Sequence, residues 1–108
     1  MRRGDLITVS APGDYGKPRP AVVVQSDWLS ETDSVLVCLL TSTLREAPIY
    51  RLTVPADPDT GLRVASQVMV DKVTALSRAK CGPVFGRLAG TELLALNHML
   101  SVMLGLAD

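Results

Sequence analysis

The sequence predicts a mainly β domain, a small barrel closed by one C-terminal helix. Short apolar runs rich in Val and Leu alternate with turns that contain Pro and Gly, a spacing typical of small barrels. Only the final segment repeats its apolar residues at helical spacing. The 108 residues are enough for one hydrophobic core, so we expect residues 1–108 to form a single domain.

Five or six short strands precede the helix. Each predicted strand is an alternating or continuously apolar run that ends at a polar, Pro or Gly residue. We expect residues 74–77 to begin a turn, and Cys81 to lie in a second turn with Gly82 and Pro83. The predicted strands are 6–10, 21–25, 35–40, 50–54, 66–71 and 84–88.

The last segment predicts one amphipathic helix over roughly residues 90–104, ending at Gly105 as a C-terminal cap. Its apolar face repeats at helical spacing and is widened by further leucines. So wide a face exceeds what one small barrel needs to cover, which favours a homodimer. The residues of this face are Leu93, Leu94, Leu96, Leu100, Met103, Leu104 and Leu106.

Composition limits the functions available. Eleven basic and eleven acidic residues balance, so nucleic-acid binding requires a local basic patch and not the field of the whole protein. With one Phe, one Trp and two Tyr, the chain has little material for an aromatic platform that stacks bases.

The two cysteines, Cys38 and Cys81, lack the Cys-x-x-Cys or Cys/His spacing of a metal site. We expect Cys38 to be a buried core residue, and we expect no metal or cofactor. Two isolated thiols fit a reducing compartment. The sequence shows no signal peptide and no apolar run near the roughly 20 residues of a membrane span, so we expect a cytoplasmic protein.

Two strand ends carry polar groups suited to a phosphodiester. Arg19 lies between Pro18 and Pro20, which restrict its backbone, so its guanidinium is presented from a fixed point. A planar guanidinium binds phosphate through two parallel hydrogen bonds. Thr41 and Ser42 follow the third strand and offer hydroxyl donors. Alternatively, Arg19 is a solvated charge or a member of a surface ion pair, and the two hydroxyls simply end a strand.

Five segments, in order over nearly the whole length, resemble the MazF/PemK/Kid toxins of bacterial toxin–antitoxin systems. Each segment alone is weak evidence, and the five in the same order along the chain make the resemblance strong. They are Arg3 to Ile7, Arg19 to Asp27, Leu39 to Ser42, Ser66 to Val73, and Gly86 to Leu88.

The resemblance implies an SH3-like β-barrel, assembled as a homodimer, that cuts single-stranded RNA at short sequences without a metal ion. It also implies a growth-inhibiting activity that a cognate antitoxin protein neutralises. By this resemblance Arg19 is the main catalytic residue and Thr41 its companion. Asp71 aligns with an acidic residue that acts as base in part of the family; it could instead cap the turn after it or pair with a lysine. The implied RNA contacts are Lys17, Ser42, Tyr15 and Lys72.

The chain also departs from the family pattern. Its loop 11–18 is short, and Met69 stands where some relatives hold a basic catalytic residue. Two alternatives therefore remain: a CcdB-like gyrase poison of the same fold, and a catalytically inactive module that binds RNA or protein. The tail from Leu104 lacks the Trp-Gly-Ile ending of the gyrase poisons. His98 is the only histidine, and its place in the helix favours a surface or dimer-interface role.

Overall fold

The computed structural model describes residues 1–10, 13 and 17–107. It contains one antiparallel sheet of six strands in the order β4-β5-β3-β2-β1-β6, followed by one helix. The elements are β1 (Asp5–Val9), β2 (Arg19–Val23), β3 (Ser34–Thr41), β4 (Arg51–Val54), β5 (Ser66–Ser77), a 3₁₀ turn (Arg78–Lys80), β6 (Cys81–Arg87) and α1 (Gly90–Met103). The predicted mainly β architecture with a terminal helix is confirmed.

Strand β5 is longer than predicted, so the predicted turn at residues 74–77 is wrong. Thr74 pairs with Val37, and Ser77 pairs with Ser34, so β3 holds this segment in the ladder to its end. The reversal comes later, in the 3₁₀ turn, where the Ser77 hydroxyl accepts the Ala79 N–H. The predicted turn at Cys81 is also wrong, because β6 begins there. Its Pro83 is tolerated because β6 is an edge strand.

The sheet has an apolar cluster on each face, because alternate side chains of one strand project to opposite sides. The first cluster lies under the helix and includes Leu6, Val22, Leu40, Val68 and Leu96. The second lies on the opposite face and consists of Ile7, Val9, Ala21, Val23, Val35, Val37 and Leu76. These aliphatic clusters match the composition.

The sequence predicted a small barrel, but the sheet is open: its edge strands β4 and β6 are joined by a loop and do not pair with each other. The segment 55–62 follows edge strand β4 and reaches edge strand β6, where the Asp59 carbonyl accepts the Arg87 N–H at 2.9 Å. A Cβ atom added to Gly86 would lie 1.9 Å from the Thr60 carbonyl oxygen. Glycine at position 86 is therefore what allows the loop to lie against β6.

Hydrogen bonds satisfy backbone groups at both ends of the helix. Glu92 accepts the Ala89 N–H at 2.8 Å. At the other end Gly105 has φ +72°, and Leu106 donates to the Ser101 carbonyl at 2.8 Å, which is a Schellman cap and confirms the predicted end. Only Leu96 is fully buried, whereas Leu94, Leu104 and Leu106 are exposed. In the described part of the chain, no helix has the length and apolarity needed to span a membrane.

Cys38 is completely buried in the first cluster, as predicted. Burial, and to a smaller extent the charge of Asp71, raises the pKa of its thiol from the usual 9.0 to about 12. The native thiol therefore keeps its proton at a pH where the unfolded chain has lost it. The contribution of this thiol to the free energy of unfolding is therefore fully present below pH 9.0, and it is lost as the pH rises toward 12.

We expect Cys38→Ala to flatten the alkaline loss of stability. Between about pH 8 and pH 10.5, the free energy of unfolding should fall about 2 kcal/mol more for the wild type than for the variant. Urea titrations with a phosphine reductant at each pH measure this difference. Cys81→Ala is the matched control, because Cys81 is only half-buried and its pKa is raised less far. Equal pH dependence of the wild type and Cys38→Ala would refute the prediction.

Candidate active site

An open groove of about 840 Å³ lies where β2 begins and β3 ends. The start of β2 contributes Arg19 with its neighbours Pro18 and Pro20, and the end of β3 contributes Thr41, followed by Ser42 and Thr43. The segment after the 55–62 loop and the side chain of Phe85 complete the lining. The structure thus brings together three residues predicted for the site: Arg19, Thr41 and Ser42.

The register of the sheet explains why Arg19 and Thr41 lie together. Ala21 pairs with Leu39 in the antiparallel β2–β3 ladder. Arg19 is two residues before Ala21, and Thr41 is two residues after Leu39. Side chains two positions apart share a face, so extending the register places Arg19 and Thr41 opposite each other on one face at one end of the sheet.

The Thr41 hydroxyl is oriented by its own turn. Its oxygen accepts the Thr43 N–H at 3.1 Å. Because that bond uses a lone pair of the oxygen, the hydroxyl hydrogen remains available as a donor toward the groove. A hydroxyl held in this way suits a phosphate oxygen as its acceptor.

A buried glutamine fixes the chain that follows Thr41. The Gln67 side chain accepts the Arg45 N–H and donates to the Arg45 carbonyl, both at 2.9 Å. It also donates to the Thr53 hydroxyl at 3.2 Å. Since Gln67 itself pairs with Thr41 across the β3–β5 ladder, the segment 41–45 is held at both ends.

The groove is basic. Its described lining includes two arginines, Arg19 and Arg63, and no carboxylate. The remaining polar groups of the lining are hydroxyls. Of these, only Thr41 and Ser42 were predicted from the sequence. The hydroxyls belong to Thr8, Thr41, Ser42, Thr43 and Ser66. A balanced chain therefore carries the local basic patch that nucleic-acid binding requires.

Arg63 and Phe85 also line the groove, and neither was predicted from the sequence. The signal for Arg63 was its position just before β5, because the start of an antiparallel β5 meets the end of β3 at Thr41. Phe85 lies on β6, which pairs with β1, and Thr8 of β1 also lines the groove.

Asp71 lies outside this groove. Its carboxylate binds Arg51, with Oδ1 3.1 Å from Nε and Oδ2 3.5 Å from Nη2. The Arg51 side chain is 4% exposed and that of Asp71 is 25% exposed. Gln67, the partner of Thr41, lies four positions before Asp71 on β5, which is about 13 Å along a strand. The ion pair predicted for Asp71 exists, and its partner is an arginine and not a lysine.

The other predicted RNA contacts have separate positions. Lys17 is exposed beside Pro18 at the rim of the groove, whereas Lys72 is exposed on β5 beside Asp71, away from it. Tyr15 lies outside the described residues. His98 is exposed on the helix and does not line the groove, which agrees with the surface role expected for it.

Comparison with known proteins identifies the family. The model of the PemK-like, MazF-like toxin of type II toxin–antitoxin systems matches residues 2–104. A protein named probable endoribonuclease MazF from Mycolicibacterium smegmatis is 42% identical over 108 residues, which is 99% of either chain.

Solved structures share the fold. An endoribonuclease in complex with its cognate antitoxin from a mycobacterial species superposes with a TM-score of 0.80 at 23% identity, over 98% of this chain and 96% of that one. The Mycobacterium tuberculosis toxin MazF-mt6 gives 0.80 at 19% identity, over 94% and 97% of the two chains. With nearly its full length matched by the family model and a relative at 42% identity, the chain belongs to the PemK-like, MazF-like toxins of type II toxin–antitoxin systems.

Proposed function

We propose that this chain, a MazF-like endoribonuclease toxin, cleaves single-stranded RNA at its Arg19 groove without a metal ion. The observation that carries the proposal is the meeting of Arg19 and Thr41 in a basic groove whose described lining contains no carboxylate. The relative at 42% identity, named a probable endoribonuclease, supports the same activity. The gyrase-poison and inactive-module alternatives are not favoured, since the family match runs over residues 2–104.

In the proposed reaction the ribose 2′-oxygen attacks the adjacent phosphorus and the 5′-oxygen leaves. The products are a 2′,3′-cyclic phosphate and a 5′-hydroxyl; the 2′-OH proton passes to a base, and the leaving oxygen gains a proton. Negative charge accumulates on the phosphoryl oxygens in the transition state. Arg19 stabilises that charge through its guanidinium, and the Thr41 and Ser42 hydroxyls donate hydrogen bonds to the same oxygens.

The base role of Asp71 stays a prediction, because its carboxylate is paired with the buried Arg51 outside the groove. A structural role makes a different prediction. We expect Asp71→Asn to lower the free energy of unfolding by about 2 kcal/mol, because Arg51 is left buried without a countercharge and Asp71 is partly solvated. The cleavage rate of the folded variant should stay within about threefold of the wild type, since a lost base costs about a hundredfold or more.

Denaturant titration and single-turnover cleavage measure the two effects. Asp33→Asn is the control, because Asp33 is exposed and its hydrogen bond to Arg78 uses only the backbone carbonyl. A loss of a hundredfold in rate with unchanged stability would restore Asp71 as the base.

We also propose that the toxin is a cytoplasmic homodimer neutralised by a cognate antitoxin. Leu94 of the helix, and Leu104 and Leu106 just after it, are exposed, which supports a further packing surface. The structural relative solved in complex with its cognate antitoxin supports this partner. The open basic groove suits an acidic, extended tail of such a partner. Both cysteines are free, which fits a reducing cytoplasm.

Cleavage of a long single-stranded RNA by purified protein in excess EDTA tests the proposal. Primer extension maps the 5′ ends, and an RNA with one 2′-deoxynucleotide at the mapped site tests the nucleophile. Discrete EDTA-resistant cuts that disappear with the deoxynucleotide are expected. A correctly folded protein that cuts no RNA, or that cuts the deoxy site equally well, would overturn the proposed function.

A further inference from the structure

Arg63 is the second cation of the Arg19 groove. It follows the 55–62 loop directly and lines the same groove as Arg19 and Thr41. Its side chain is exposed and makes no hydrogen bond or ion pair with the described residues. An exposed arginine with its donors unused, in a groove where the described lining has no carboxylate, is suited to an external anion.

The backbone around Arg63 is held on both sides. Before it, Leu62 packs against the first apolar cluster. After it, the Val64 carbonyl accepts the Ser66 hydroxyl at 3.0 Å. The Arg63 side chain therefore projects from a fixed point, so little backbone entropy is lost when it binds a ligand.

The loop that precedes Arg63 is also rigid. Asp57 Oδ1 accepts the N–H groups of Asp59 and Thr60 at 2.9 and 2.8 Å, and the Thr60 hydroxyl donates to the Pro55 carbonyl at 2.8 Å. The Asp59 carbonyl ties the loop to Arg87 of β6. This network holds the segment that leads into Arg63 against β6.

We propose that Arg63 binds a phosphate of the RNA next to the one that is cleaved. The inference rests on the proposed function, in which Arg19 binds the scissile phosphate. Two arginines in one groove match the chemistry of a polyanion with consecutive phosphates. Arg63 then contributes to binding in the ground state and the transition state alike, so it sets KM, whereas Arg19 sets kcat.

The salt dependence of binding tests this assignment. Each phosphate contact on a single strand adds about 0.7 to the slope of log affinity against log salt concentration. We expect Arg63→Ala to reduce that slope by about 0.7. We expect Arg63→Lys to keep the slope, because it retains the charge. Affinity is measured by fluorescence anisotropy on an RNA with a 2′-deoxynucleotide at the scissile position, at several KCl concentrations.

Arg2→Ala is the matched control. It removes one exposed positive charge near the opposite end of β1 and β2, outside the groove, and should leave the slope unchanged. Cleavage of all-ribose RNA by each variant is followed in parallel. Arg63→Ala should raise KM several-fold and leave kcat within about threefold. This pattern is expected when the lost contact is equally strong in the ground state and in the transition state.

The outcomes separate the two proposals. If the wild type cuts RNA and Arg63→Ala keeps both the wild-type slope and KM, this inference fails and the proposed function stands. An equal loss of slope in Arg2→Ala would assign the effect to net charge and would also overturn it. If the wild type neither binds nor cuts RNA, both proposals fail.

Discussion

Replacing Arg19 with alanine is expected to lower the single-turnover rate of RNA cleavage by about a hundredfold or more, the usual cost of removing one transition-state donor. Arg19 and Thr41 line the same groove, and in the proposed reaction the guanidinium stabilises the phosphoryl oxygens on which charge accumulates. Arg19→Lys should recover only part of the rate, because an ammonium keeps the charge and loses the planar pair of donors. Rates are measured at saturating protein in EDTA.

Two further variants sharpen the result. Thr41→Ser keeps the hydroxyl and should retain most of the rate, whereas Thr41→Val keeps the shape, lacks the donor and should lose about a hundredfold. Arg63→Ala is the internal comparison, because it removes an equal charge from the same groove and should change KM and not kcat. A folded Arg19→Ala protein that cuts at the wild-type rate would remove Arg19 from the catalytic site.

Arg19 and Thr41 could be predicted as site residues because the sequence signals for them lie close by in the chain. Pro18 and Pro20 mark the start of β2 around Arg19, and the end of the apolar run at Leu40 marks Thr41 as the last residue of its strand. Helical periodicity and Gly105 likewise located the helix and its cap. In each case the signal lies within a few residues, where propensity and pattern act.

The remaining features of the fold and the site depend on which strands are neighbours in the sheet, and local sequence patterns do not reveal that pairing. The β3–β5 pairing extends β5 through Ser77, although Thr74 and Ser77 alone favour a turn. The β4–β5 pairing sets Arg51 beside Met69, so that its guanidinium reaches Asp71 and holds the carboxylate outside the groove. The pairing of Thr41 with Gln67 also brings Arg63 to the groove. These are long-range contacts, which override local preference.

Gly86→Ala is expected to destabilise the fold more than Asp71→Asn does. The new Cβ atom would lie 1.9 Å from the Thr60 carbonyl oxygen and 2.3 Å from its carbon, so the backbone must move. Thr60 is 2% exposed and belongs to the Asp57 network, so it has little room to yield. We expect a loss of about 3 kcal/mol and a Tm lower by roughly 15 °C. Thermal unfolding at one fixed protein concentration measures the shift, since an oligomer's Tm depends on concentration.

Gly90→Ala is the matched control. A Cβ atom at position 90 meets nothing within 4 Å, and the residue is the first of the helix, so alanine there should be neutral or slightly stabilising. Equal Tm values for the two variants would show that the loop yields easily. If the loop is instead as rigid as its hydrogen bonds indicate, Gly86→Ala displaces the segment that carries Arg63. The fraction that still folds should then bind RNA with the lowered salt slope of Arg63→Ala, although residue 86 does not line the groove.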